Sequence, residues 1–134
     1  KYEEDLPEAP SNVVLRNWFS QRDLMEHENV VAVIGHGGLG SLTETVYVGK
    51  PMIGIPFFAD QYGNIEKIVK PGAGIQLDYD DLSEEKIRIA VGEILNNPKY
   101  KQNMRKLSQQ FRDRPMTPLQ TAVYWTEYVI RHQG

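Results

Sequence analysis

The residues with the clearest chemical potential lie in one loop, Gly35-His36-Gly37-Gly38-Leu39-Gly40, which leads straight into Ser41 and, three residues on, Glu44. A loop poor in Cβ atoms lets backbone N–H groups point at an anion. A helix opening behind it adds partial positive charge. The combination is a phosphate site, and a histidine inside it brings an N–H donor of its own. The glycines also spell G-x-G-x-x-G at Gly35, Gly37 and Gly40, and Asp60 falls about 20 residues later, where a dinucleotide site places a ribose-binding acid. Two features weaken a dinucleotide reading. The helix expected from Ser41 to Val48 is short for a Rossmann crossover, and histidine is unusual where a pyrophosphate should meet bare backbone.

These residues need elements to hold them. Val30-Val31-Ala32-Val33-Ile34 reads as a strand apolar on both faces, as in the middle of a parallel sheet. The helix after Ser41 should end at Gly49, since Lys50-Pro51 prevents its continuation. Met52–Phe58 reads as a second buried strand, Gln61–Lys70 as a helix and Ile75–Asp78 as a third strand. Upstream, Asn12–Arg16 reads as a short strand running into Trp18, and Ser20 as the N-cap of a helix over Gln21–His27, with Asp23 in a capping-box-like position.

Ser83 should cap a helix with Glu84 and Glu85 in its first turn. Ile87, Ala90, Val91, Ile94 and Leu95 then form one apolar stripe. Pro98 opens a further helix carrying Tyr100, Met104, Leu107 and Phe111. Pro115 and Pro118 bracket a break before a last, aromatic helix from Leu119 to about His132. Strands alternating with helices predict an α/β fold, a Rossmann-like parallel sheet flanked by helices, with a helical C-terminal tail. Ligands of such sheets bind at the carboxyl ends of the strands, where the loops at Trp18, Gly35–Gly40 and Phe58–Gln61 would gather.

The 134 residues suffice for one core. A net charge of −3 argues against a general nucleic-acid binder. That charge is uneven: residues 1–98 carry 8 Lys/Arg against 16 Asp/Glu, and residues 99–134 carry 7 against 2. The basic end suits either a solvated helical face or a docking surface for an acidic partner domain. With no cysteine and only His27, His36 and His132 scattered along the chain, no metal-ligand cluster is expected. No apolar run approaches the ~18 residues of a membrane span, so the segment is expected to be soluble. Residues 1–11, acidic and Pro-containing, read as a linker or a loop cut inside a longer protein; residues 12–113 read as the Rossmann-like unit and residues 114–134 as the tail helix.

Taken together, Trp18-x-x-Gln21, His36-Gly37-Gly38, Ser41-x-x-Glu44, Gly49-x-Pro51, Pro56 and Asp60-Gln61-x-x-Asn64 resemble the donor-binding motif of the UDP-glycosyltransferases, in particular their animal branch. The tail is also similar, at Asn97-Pro98-x-Tyr100 and Pro118-Leu119-x-x-Ala122-Val123-x-Trp125. The resemblance implies the C-terminal, UDP-sugar-binding domain of a GT-B enzyme. In that scheme Trp18 stacks on uracil, and Gln21 binds uracil or ribose. His36 and the amides of Gly37, Gly38, Gly40 and Ser41 hold the diphosphate. Glu44 accepts from ribose hydroxyls, and Asp60 and Gln61 hold the donor sugar. These residue types suit their tasks: a flat aromatic face for a base, N–H donors for phosphate, a carboxylate and an amide for hydroxyls.

Plainer roles remain open for each. Trp18 could be a packed core aromatic, Ser41 with Glu44 a capping box, His36 a structural histidine and Asp60 a loop cap. Gly35 and Gly40 depart from the family pattern, which commonly has Thr or Ser at the first and Asn at the second.

The resemblance further implies that the catalytic base, a histidine oriented by an aspartate, belongs to an N-terminal domain outside this chain, as do the first strands of the donor domain and a transmembrane helix after the tail. The expected function is the donor-binding part of an inverting transferase that moves a hexose or hexuronic acid from UDP-glucose, UDP-glucuronic acid or a similar donor to a small lipophilic acceptor. No metal or other cofactor is expected, and the intact protein would sit in the endoplasmic reticulum membrane with this domain on the luminal side. The competing expectations are an NAD(P)-binding half of an oxidoreductase and a non-catalytic nucleotide-binding module.

Overall fold

The computed structural model describes residues 9–134; the linker reading of residues 1–8 lies outside the described residues. Three short parallel strands, β1 (Val33–Gly35), β2 (Met52–Gly54) and β3 (Gly74–Gln76), form a sheet in the order β1-β2-β3. Val33 pairs with Met52, and Met52 with Gly74. Among the described residues six helices accompany them: α1 (Gln21–Glu26), α2 (Leu39–Val48), α3 (Gln61–Val69), α4 (Glu84–Asn96), α5 (Pro98–Arg112) and α6 (Pro118–His132).

Alternation along β2 builds a core on each side of the sheet. Met52 packs with Leu42 of α2, Ile65 and Ile68 of α3, and Met104 of α5. Its neighbour Ile53 packs with Ala90 and Ile94 of α4 and with Tyr100. Helices therefore cover both faces of a parallel sheet, as expected from the strand–helix alternation.

Several boundaries differ from the sequence expectation, each for a physical reason. Asn12–Arg16 is not a strand: Ser11 and Asn12 form a turn, Val13 N–H donates to the Pro10 carbonyl, and Val13–Leu15 are exposed. β1 is shorter than Val30–Ile34 and stands at an edge of this three-stranded sheet, with Ile34 half exposed. β2 stops at Gly54 instead of Phe58. Ile55 N–H still donates to the Gly35 carbonyl, but Pro56 has no N–H to continue the ladder. α2 begins at Leu39 with Gly38 at the N-cap, two residues before the expected Ser41, and ends as expected at Gly49 in the left-handed region.

The caps of the later helices follow from local chemistry. Ser83 accepts from the Lys86 amide, Asn97 from the Lys99 amide, and Thr117 forms a full capping box with Gln120. α6 has no buried residue, and Leu119, Trp125 and Ile130 are among its exposed side chains. No helix among the described residues is long and apolar enough to cross a membrane.

Candidate functional site

The carboxyl end of β1 runs into the loop Gly35–Gly38, and α2 starts at its far side. Gly37 has φ +83°, and a Cβ there would stand 2.5 Å from Ile65 Cγ1, so the turn both needs left-handed backbone and leaves no room for a side chain. A Cβ on Gly38 would stand 2.6 Å from His36 Nε2, so the imidazole occupies the space that the missing side chain vacates. His36 is exposed, and the first turn of α2 carries no acidic residue to compete for its amides. Loop, imidazole and helix N-terminus together form a place with N–H donors and partial positive charge suited to phosphate.

Asn64 holds this loop from α3. It is buried, and its Nδ2 donates to the Gly37 carbonyl at 3.1 Å and to Asp60 Oδ2 at 2.7 Å. Asp60 sits at the N-cap position of α3 but makes no side-chain cap bond; its carboxylate is aimed by Asn64 and remains exposed. The simple loop-cap reading of Asp60 therefore fails. Gln61 is buried, and its Oε1 accepts from the amides of Phe57 at 2.8 Å and Phe58 at 3.3 Å. That carbonyl oxygen braces the loop after β2, which leaves only its Nε2 for a ligand. Asn64 is the residue that the sequence reading misses: it lies in the motif with no role given to it. Its spacing of four from Asp60, on one helix face, is the signal that could have found it.

Before α1 the chain presents Trp18, 84% exposed, so it is not packed in the core of this chain. Gln21, the first residue of α1, donates from Nε2 to Ser41 Oγ at 3.1 Å and to Glu44 Oε2 at 2.7 Å. Ser41 lies inside α2 and Glu44 reaches Gln21, so the pair is not a capping box at the helix N-terminus. An open cleft of about 780 Å³ is lined by Trp18, Phe19, Gln21 and Glu44 among others. His36 and Asp60 are not among its lining residues; they stand on the loop side of α2. The structure thus gathers the expected residues into two half-sites joined by α2: an aromatic–amide–carboxylate cleft, and a nitrogen-rich loop with a carboxylate beside it.

The two departures from the family pattern differ in their surroundings. A Cβ at Gly40 would meet nothing within 4 Å, whereas one at Gly35 would stand 3.1 Å from Met52 Cε, a flexible end that can give way. Among the described residues no three His, Asp or Glu side chains cluster as metal ligands would.

A parallel sheet covered on both faces, with a glycine loop at a strand's carboxyl end opening a helix, is a Rossmann-like arrangement, here of the GT-B fold class. Solved structures agree: the spinosyn forosaminyltransferase SpnP superposes with a TM-score of 0.84 over 94% of this chain and 33% of its own, at 23% identity, a likeness of fold. The glycotransferase of kitacinnamycin matches with a TM-score of 0.74 at 30% identity, over 81% of this chain and 27% of its own. The family described as "UDP-glucoronosyl and UDP-glucosyl transferase" matches residues 1–134, and the chain belongs to it. Among its relatives are UDP-glucosyltransferase 2 of Dactylopius coccus, 51% identical over 100% of this chain, and UDP-glucuronosyltransferase 2B33 of Macaca mulatta, 45% identical over 92%. The chain spans 26% and 23% of those relatives' lengths.

Proposed function

We propose that this chain is the donor-binding part of an inverting UDP-glycosyltransferase, with UDP-glucose, UDP-glucuronic acid or a similar nucleotide sugar as co-substrate. The observation that carries the reading is Gln21 Nε2 donating to both Ser41 and Glu44. It joins the Trp18 segment to the helix that opens behind the glycine loop, so a base platform, a ribose carboxylate and a phosphate loop stand in the order of a nucleoside diphosphate.

In this reading Trp18 stacks on uracil, Gln21 and Glu44 take base and ribose, and His36 with the amides of Gly37, Gly38, Gly40 and Ser41 takes the diphosphate. Asp60 and the free Nε2 of Gln61 hold sugar hydroxyls. In the intact enzyme an acceptor hydroxyl attacks the anomeric carbon as the bond to UDP breaks. The acceptor's proton passes to a base outside this chain, and the charge developing on UDP meets His36 and the α2 N-terminus. Nitrogen donors and the helix dipole carry that charge, so the scheme calls for no metal ion.

The acceptor is a small lipophilic molecule held by an N-terminal domain. Residues 114–134 pack against that domain, which fits an α6 with no buried residue and with exposed Trp125. The whole protein would lie in the endoplasmic reticulum membrane, this domain luminal and the membrane contact made elsewhere in the chain.

A dinucleotide reading is disfavoured by the family and by Asp60, which is held by Asn64 at the start of α3. Calorimetric titration of the chain with UDP, ADP and NAD tests the choice. UDP should bind tightest, and NAD binding tighter than UDP would overturn the assignment.

A further inference from the structure

The nucleoside half of the site depends on α1, and α1 is a poor helix by itself. It has six residues, of which Met25 alone is buried. Isolated helices shorter than about 12 residues are unstable in water, so contacts with neighbouring elements must hold it. Thr45 Oγ1 reaches Met25 Sδ at 3.5 Å, and Lys50 Nζ donates to the His27 and Val30 carbonyls at 2.9 and 2.6 Å, which fixes the chain beyond the helix. Neither contact fixes the first turn, where Gln21 projects. Gln21's own bonds go to Ser41 and Glu44, groups that a ligand would engage.

A further contact reaches that first turn. Tyr47, half-buried on α2, has the Arg22 guanidinium 4.9 Å and the Arg112 guanidinium 4.8 Å from its ring centroid. Both guanidiniums therefore reach the same ring. Arg22 is steadied by Glu26 at 3.0 Å within α1, and Arg112 is the last residue of α5. The clamp thus ties three helices together beside Gln21. An aromatic face attracts a guanidinium through its negative quadrupole, and it does so on both sides.

We infer that Tyr47 is a positioning residue of the nucleoside site: gripped by Arg22 and Arg112, it sets where α1 holds Trp18 and Gln21. The inference rests on the donor-binding reading above. The Tyr47 ring carries the clamp, and the phosphate loop is indifferent to it.

Uridine and pyrophosphate are titrated separately into the wild-type chain, Tyr47→Leu, Tyr47→Phe and Arg22→Met, and amide exchange is followed across α1. Tyr47→Leu should weaken uridine by about 3- to 30-fold, the span of one or two cation–π contacts. It should leave pyrophosphate unchanged and speed exchange in α1 but not in α3. Tyr47→Phe, which keeps the ring, should retain most of the uridine affinity. Arg22→Met, which leaves the ring at the core edge, should reproduce the uridine loss even if Tyr47→Leu fails to fold. Equal losses for both ligands, or Tyr47→Phe as damaging as Tyr47→Leu, would overturn the clamp. A wild-type chain that binds no uridine defeats the donor reading instead. Unchanged α1 exchange in Tyr47→Leu and Arg22→Met defeats the clamp whatever binds.

Discussion

Trp18 offers a flat face to solvent, with 84% of its surface exposed, three residues before Gln21 at the start of α1. A side chain so exposed contributes little to the core, so its replacement separates affinity from folding. Trp18→Ala should weaken UDP by about 1–3 kcal/mol, the worth of base stacking on an aromatic ring, with the circular dichroism spectrum unchanged. Loss of helical signal in place of affinity would return Trp18 to a structural role. His36 belongs to the other half-site, and its ring fills the gap over Gly38. His36→Ala should therefore weaken UDP more than uridine, because only UDP carries a diphosphate; parallel losses measured by calorimetry would mean the imidazole merely supports the loop. Both residues are legible in the sequence as types at a spacing. Their partners are not: that Glu44 answers Gln21 across 23 positions, or that Gln61 spends its carbonyl on Phe57 and Phe58, depends on how α1 and α3 dock.

At the level of elements, the glycine loop contains two opposite cases. Gly40 lies in the first turn of α2, with open space where a methyl group would point. Gly40→Ala should therefore stabilise the fold by about 0.5–1 kcal/mol through backbone entropy. Gly37 has φ +83° with Ile65 against it, and Gly37→Ala should cost about 1–3 kcal/mol. Thermal unfolding of the two variants checks both signs; a destabilised Gly40→Ala would show that α2 needs flexibility at its start. Helices are more legible in this sequence than strands. Ser83 and Pro98 announce α4 and α5 through caps that act within a few residues. A strand's extent depends on a partner's hydrogen bonds, so the apolar runs 30–34 and 52–58 promise more strand than the ladder contains. The exposed run Val13–Leu15 has no partner strand among the described residues.

For the whole molecule, the reading implies a chain that holds a donor and cannot use it. A base must come within about 3.2 Å of the acceptor hydroxyl; in this reading His36 faces the diphosphate, while Glu44 accepts from Gln21 and Asp60 from Asn64. Incubated with UDP-glucose or UDP-glucuronic acid and a phenolic acceptor, the chain alone should form no glycoside; steady product formation would point to Asp60 as a base. The sheet has a further consequence, in time. Its spatial order repeats its order along the chain, with β1 beside β2 and β2 beside β3. Each pairing closes over a single intervening helix, α2 and then α3, so among the three described strands each ladder forms with a near neighbour in the chain. Loop closure grows only slowly with length, and two closures of similar span make the entropic cost nearly even from step to step. A polypeptide leaving the ribosome can zip the phosphate loop into place as soon as α3 has emerged with Asn64 and Ile65, before the tail helices exist.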